Sequence, residues 1–401
     1  MSDAVGAVRA IASASVSSVM RARIAVAAIF FLNGVSVASW VVRIPDVQQA
    51  LTLSAGTLGL ALLGAAAGAL VAMPFAGRLV SRHGSRAVTV GAALAYAATL
   101  ALPAVAPSLI LLIAALFING AANGSLNVAM NAQASTVERV HGRPIMSSFH
   151  ALFSGGGLAG AAGGGMIAAG GASAQLHLAV VGGVMIALVV VAARAMLPAS
   201  AEWHPPEAEA EAGDEGARPG RRVILLGVLA FSVLFAEGAM GDWSAVYLRD
   251  VAGAGPGLAA SGYAAFSIAM ALGRVVGDHL TARVGATRMV GFGALLATAG
   301  IALALFDPST RAIAIGFGAV GAGLATAFPS VLTAASRVPG MKAGAGIAAV
   351  ATLGYTGLLA GPPLIGFVAQ MTNLRGGMAA VGMACLLTAV LAGTLREDDG
   401  S

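Results

Sequence analysis

Cysteine is nearly absent. Cys385 stands alone among 401 residues, which excludes an internal disulfide and any cysteine-built metal site. Charge is scarce as well: Asp, Glu, Lys and Arg make up 10% of the chain, where an average soluble domain carries about 25%. A chain so poor in charge cannot clothe a water-facing surface of this size. Catalytic and nucleotide signatures are missing too. No P-loop is present, "GAGIAA" at 344 mimics a dinucleotide fingerprint without the strand and acid it needs, and no nucleophile sits beside a base and an orienting acid. His, Cys and acidic residues nowhere fall at metal-ligand spacing. No enzyme chemistry and no cofactor are expected.

What is present is apolar. Hydrophobic residues are 58% of the sequence and glycine contributes 55 positions, with a mean hydropathy of +0.89. Windows of about 20 apolar residues, the length of a membrane-spanning helix, recur at 24–43, 57–79, 86–104, 109–134, 144–168 and 174–197, and again at 222–248, 258–281, 287–306, 311–335, 343–369 and 374–395. The expected architecture is an all-α membrane protein with twelve transmembrane helices in two six-helix bundles. Residues 1–23 read as an N-terminal tail without a cleavable signal, 24–197 as the first bundle, 198–221 as a linker rich in Pro, Ala and Glu, 222–395 as the second bundle and 396–401 as a tail.

Of the 22 Lys and Arg, seventeen fall on the side of the termini, while Arg43, Arg249, Arg311 and Arg375 fall on the other and Arg274 lies within the eighth span. Positive residues gather on the cytosolic side of membrane proteins, so both termini are expected in the cytosol. The same placement accounts for the basic balance without nucleic acid as a partner. The halves echo each other at a shift near 201 residues: "GRLVSRHGSR" at 77 answers "DHLTARVGATR" at 278, and "AQAS" ending at Ser135 answers "TAAS" ending at Ser336. Parallel repeats of this kind build transporters whose halves rock about a central site.

In "GRLVSRHGSR", Gly77, Leu79, Arg82, Gly84 and Arg86 resemble the loop signature of the major facilitator superfamily. "ASWVVRIP", "NAQASTVER", "FHALFSGGGLAGA", "FAEGAMGDW" and "GYTGLLAGPPLIGF" are similar, more narrowly, to the YbjJ-like branch of bacterial inner-membrane permeases, distantly akin to fucose permease. Three departures stand out. Ser81 occupies the place of an acid in the loop signature, Leu116 that of a basic residue in proton-driven drug exporters, and Ala161 that of a proline in the exporters' fifth span. The resemblance implies alternating access, a cavity lined mainly by the first, fourth, seventh and tenth spans, and a proton gradient as energy source.

Candidate site residues follow. Asn119, Asn123, Asn127 and Asn131 recur every four residues and cover about a third of a helix circumference. They form either the wall of a wet cavity or interhelical hydrogen bonds. Asn33, Asn123 and Glu237 fall near the middle of their spans. A carboxylate there is costly unless it meets water or a partner, so Glu237 is the first candidate for proton coupling, with a neutral structural Glu as the alternative. His150 is a second coupling candidate or a packed histidine. Trp40 and Trp243 either stack on a substrate or anchor at the membrane interface; Tyr355 is a donor to the cavity or a core tyrosine. Asp242 pairs with Arg43 as an outer gate or lies in solvent. Arg78, Arg82, Arg86, Glu138, Arg139, Arg274, Asp278 and Arg283 are assigned to cytosolic gating. The expected ligand is a small, polar, uncharged solute, sugar-like or nucleoside-like. A multidrug antiporter is the alternative and a membrane sensor a third reading. The expected unit is a monomer in the lipid of the bacterial cytoplasmic membrane.

Overall fold

The computed structural model describes residues 16–143, 145–202, 220–339, 341 and 343–396. Among them are twelve helices long and apolar enough to cross a membrane. The spans are built from α1 (Val16–Ala50), α2 (Ala55–His83), α3 (Ser85–Thr99, continued by a short helix at Leu102–Val105), α4 (Leu109–His141), α5 (Met146–Ala169), α6 (Ala174–Ala193), α7 (Arg221–Ala252), α8 (Ser261–Val284, preceded by a short helix at Pro256–Ala259), α9 (Ala286–Phe306), α10 in two pieces (Thr310–Leu324 and Ala327–Ala335), α11 (Ala343–Met371) and α12 (Leu374–Leu391). A 3-10 turn follows each bundle, at Ala199–Ala201 and Ala392–Leu395. The break in α10 at Ala325 and Thr326 interrupts what the hydropathy pattern presents as one span. By contrast, α11 continues through Pro362 and Pro363.

Two compact units result: residues 1–43 with 64–210, and residues 44–63 with 211–401. The first is built around a core that includes Ile29, Phe30, Tyr96, Leu126, Phe149 and Met185. One core cluster of the second joins α7, α9, α10, α11 and the end of α12 through Leu229, Val233, Val290, Val331 and Val350. Large apolar side chains such as Ile110, Phe306, Met371 and Val390 stand exposed. In water each would forfeit roughly 25 cal/mol per Å²; in lipid it costs nothing.

The repeat seen in the sequence is also a repeat of backbone. Gly84 ends α2 at φ 80°, ψ 153°, and Gly285 ends α8 at φ 85°, ψ 149°, a left-handed φ that favours glycine. A Cβ on Gly120 would run into the Ala65 carbonyl, and one on Gly321 into the Phe266 carbonyl; both members of the contact move by 201 residues. Small residues let the helix backbones touch at these crossings.

Candidate functional site

Along α7, residues 229–248 are buried except for Phe231, Glu237, Gly238, Gly241 and Asp242. Glu237 and Asp242 therefore share the open stripe of an otherwise enclosed helix. On α8, Tyr263, Ser267, Met270 and Arg274 follow at steps of four, three and four, which places them on one face. The first three are buried. Arg274 is about 37% exposed, and its Nη2 lies 3.7 Å from Oε2 of Glu237. At that separation the contact is an ion pair and not a hydrogen bond. The other carboxylate oxygen, Oε1 of Glu237, is buried and has no hydrogen-bond partner. Tyr263 lies within electrostatic reach of Glu237, Asp242 and Arg274, and Tyr355 of α11 within reach of Glu237. Tyr355 also packs edge-on to Phe328, with ring centroids 6.4 Å apart.

The placement of Arg274 corrects its assignment to a cytosolic network: it lies nearly three turns from the end of α8, and its counter-charge is Glu237. Trp243 is likewise corrected. It is fully buried inside the second unit and is neither an interfacial anchor nor an open stacking surface. One residue past Asp242, it is turned about 100° from the open stripe.

In the first unit the amides take different roles. Asn33 is fully buried; its Nδ2 contacts Sδ of Met130 at 3.7 Å, and its Oδ1 has no hydrogen-bond partner. Asn119 is buried and donates to Oγ1 of Thr99 at the end of α3, 3.2 Å away; it ties two helices together. Asn123 and Asn127 are half-buried. Asn127 donates to the Asn123 carbonyl and Oδ1 at 3.0 and 3.2 Å, and Asn131 to the Asn127 carbonyl at 2.8 Å. The open part of the stripe is thus Asn123 to Asn131, with its amides folded back along their own helix.

Arg43 is buried and its Nε donates to Nδ1 of His177 on α6 at 3.0 Å. The sequence reading missed His177, since a lone histidine in an apolar run carries no signal for a partner 134 residues away. His150 is exposed, with its ring edge-on to Phe30 at 5.3 Å. Trp40 is half-buried and packs on the core of its unit. Glu138 accepts from the backbone N–H groups of Ile145 and Met146, both at 2.6 Å. Its carboxylate caps the start of α5, where an anion meets free N–H donors and the helix dipole. That is a structural role the gating assignment overlooked. Arg139, Arg82 and Arg283 are exposed and Arg86 is half-buried; the Arg78 guanidinium lies 5.6 Å over the Phe75 ring. The Asp278 side chain lies outside the described residues, as do Arg9, Arg218 and Lys342 of the orientation count.

In the second unit, Arg249 at the end of α7 donates to Gln48 Oε1 at 2.7 Å and to the Pro45 carbonyl. Gln48 and Arg249 stand 201 residues apart, the shift of the repeat, but equivalence in a repeat does not itself predict contact. Among the described residues no group of three or more His, Cys, Asp or Glu could hold a metal ion.

The model of the Major Facilitator Superfamily matches residues 25–339 and 254–401. The chain belongs to this superfamily. It is 36% identical to an uncharacterized MFS-type transporter of Yersinia pestis over 90% of this chain and 93% of that one. It is 31% identical to the membrane protein MosC of Rhizobium meliloti over 87% and 84%. Among solved structures, the nucleoside transporter NupG has a TM-score of 0.72 at 14% identity, covering 93% of this chain and 97% of that one. A bacterial homologue of the lysosomal transporter Spinster has a TM-score of 0.71 at 14% identity, covering 93% and 95%. The chain is thus a multi-pass transporter of the major facilitator fold.

Proposed function

We propose that this transporter moves a small, polar, uncharged solute, sugar-like or nucleoside-like, across the bacterial cytoplasmic membrane by alternating access, coupled to protons through Glu237. In this reading it is a monomer of the YbjJ-like branch with both termini in the cytosol, and it uses no cofactor. The carrying observation is the Glu237–Arg274 contact: one carboxylate oxygen faces a guanidinium at 3.7 Å while the other is buried without a donor. A buried acceptor left unpaired costs about 1–3 kcal/mol, and a proton or a solute hydroxyl would recover that. Protonation also removes the charge that holds Arg274, releasing its donors for a solute oxygen. Proton binding and solute binding then act on the same pair of side chains. The structural neighbour NupG is a nucleoside transporter, which agrees with this solute class.

Thermal stabilisation of the purified protein against sugars, nucleosides and amphipathic drugs, at acid and neutral pH, tests the reading. A polar solute should raise the melting temperature with a pH dependence that Glu237→Gln removes. In proteoliposomes the same variant should lose pH-driven accumulation by at least about tenfold, equivalent to 1.4 kcal/mol, while keeping solute exchange. Stabilisation by drugs alone, indifferent to Asn123→Ala, would replace this reading with drug export. Binding without flux would point to a sensor.

A further inference from the structure

In the first unit, α3, α4 and the end of α2 border a groove of about 650 Å³. Ala87, Gly91, Ala95 and Thr99 follow at steps of four along its α3 side, and Ala121 and Ser125 line it from α4. Leu79 and Ile118, which also line it, are exposed, so the groove opens outward. Its hydroxyls are spent on their own helices. Thr99 Oγ1 bonds the Ala95 and Tyr96 carbonyls at 2.9 and 3.1 Å, and Ser125 Oγ donates to the Ala121 carbonyl at 2.8 Å. Such walls suit an apolar chain and offer little to a polar solute.

One end of the groove is cationic. His83 lines it there, and Arg82 and Arg86 directly precede the lining residues His83 and Ala87. Ser81, set among them, bonds the Gly77 carbonyl and brings no negative charge. Glu202, which meets the start of α3, gives its Oε1 to the Ser85 N–H at 2.7 Å and to Ser85 Oγ at 2.9 Å. Among the described residues no carboxylate pairs with Arg82 or Arg86. From Ala87 to Thr99 the α3 axis rises about 18 Å, against about 15 Å for the hydrocarbon of one leaflet. The second unit carries no such space at the matching places. Shifted by 201 residues, Gly91 becomes Phe292 and Ala95 becomes Leu296, large side chains that stand exposed.

We propose that this groove is a site for one anionic phospholipid, with an acyl chain along α3 and α4 and the head-group phosphate on Arg82 and Arg86 beside His83. Charge complementarity and length select this occupant: cations gather at one end only, and the apolar part is as long as one leaflet is deep. Arginine stems lie along apolar surface while their guanidinium groups reach the head groups, where they bond phosphate oxygens in pairs. The site is separate from Glu237 and Arg274 and does not depend on the identity of the transported solute.

Native mass spectrometry of the full chain tests this, with phosphatidylglycerol and phosphatidylcholine of identical acyl chains offered in equal amounts. The wild type should retain one phosphatidylglycerol in preference to phosphatidylcholine, and Arg82→Gln with Arg86→Gln should reduce that preference by about tenfold. Gly91→Phe with Ala95→Leu, which fills the groove and keeps both arginines, should remove the bound lipid. A Cβ at Gly91 meets nothing within 4 Å, so this variant should fold even if the arginine variant does not. The proposal is overturned if both lipids are retained equally, or if the filled variant keeps its phosphatidylglycerol. It is equally overturned if glycerol phosphate, which has no acyl chain, raises the melting temperature as much as phosphatidylglycerol does, since the arginines would then hold a free anion. Conversion of a dimer to a monomer by the filled variant would also overturn it, by giving the groove to a second copy of the chain.

Discussion

Arg43 and His177 are both almost fully buried in the first unit, and a hydrogen bond joins them at 3.0 Å. His177→Leu removes the acceptor of the Arg43 Nε–H, so the variant should be less stable by about 1–3 kcal/mol, read as a lower melting temperature in detergent. His177→Gln, which keeps an acceptor, should lose less. Equal losses in both would mean that the imidazole serves packing alone. Glu237 was legible from sequence because a carboxylate at mid-membrane depth must be satisfied somehow. Its partner was not: Arg274 looks, by its position in the eighth span, like part of a terminal cluster, and only the rotation of α8 against α7 brings the two together. The four asparagines show the same limit. Their spacing predicts a common stripe, yet Asn119 turns to Thr99 while Asn127 and Asn131 bond their own helix.

Among the helices, glycine decides which pairs come into backbone contact. Gly120 has no room for a side chain against the Ala65 carbonyl, whereas a Cβ at Gly183 meets nothing within 4 Å. Gly120→Leu should therefore destabilise by about 1–3 kcal/mol or more through overpacking, and Gly183→Leu should be tolerated; the ratio of folded to aggregated protein after heating distinguishes them. Gly64 with Gly68, and Gly357 with Gly361, have small-x-x-x-small spacing, and a Cβ on Gly64, Gly68 or Gly357 would run into a neighbouring carbonyl. At Gly361 a Cβ would make only ordinary contacts, with the Phe235 carbonyl at 3.8 Å and its ring at 3.9 Å, because the two helices lie further apart there. Glu138 belongs to this scale also: a residue chosen for its charge turns out to end one helix connection by capping the next.

For the molecule as a whole, the distribution of Lys and Arg predicts which ends of the helices face the cytosol. Arg283 and Arg311 are both exposed and lie at opposite ends of the α9 span. With Cys385→Ala, a membrane-impermeant maleimide applied to intact cells should label Arg311→Cys and spare Arg283→Cys. Labelling of Arg283→Cys alone would invert the topology. The 201-residue repeat is the second property of this scale, and it extends from sequence to the Gly84 and Gly285 turns and the Gly120 and Gly321 crossings.

The sequence by itself determined the solvent, the number of spans and the two-fold repeat. Each is a sum over many residues: apolar runs must match the thickness of a bilayer, and a backbone without water must satisfy its own hydrogen bonds in helices. The tertiary structure alone decided partners. Whether Arg274 meets Glu237, Arg43 meets His177, or Glu202 meets the start of α3 depends on how each helix is turned against its neighbours. Each pair is far apart in the chain, and no local pattern records which side chains meet.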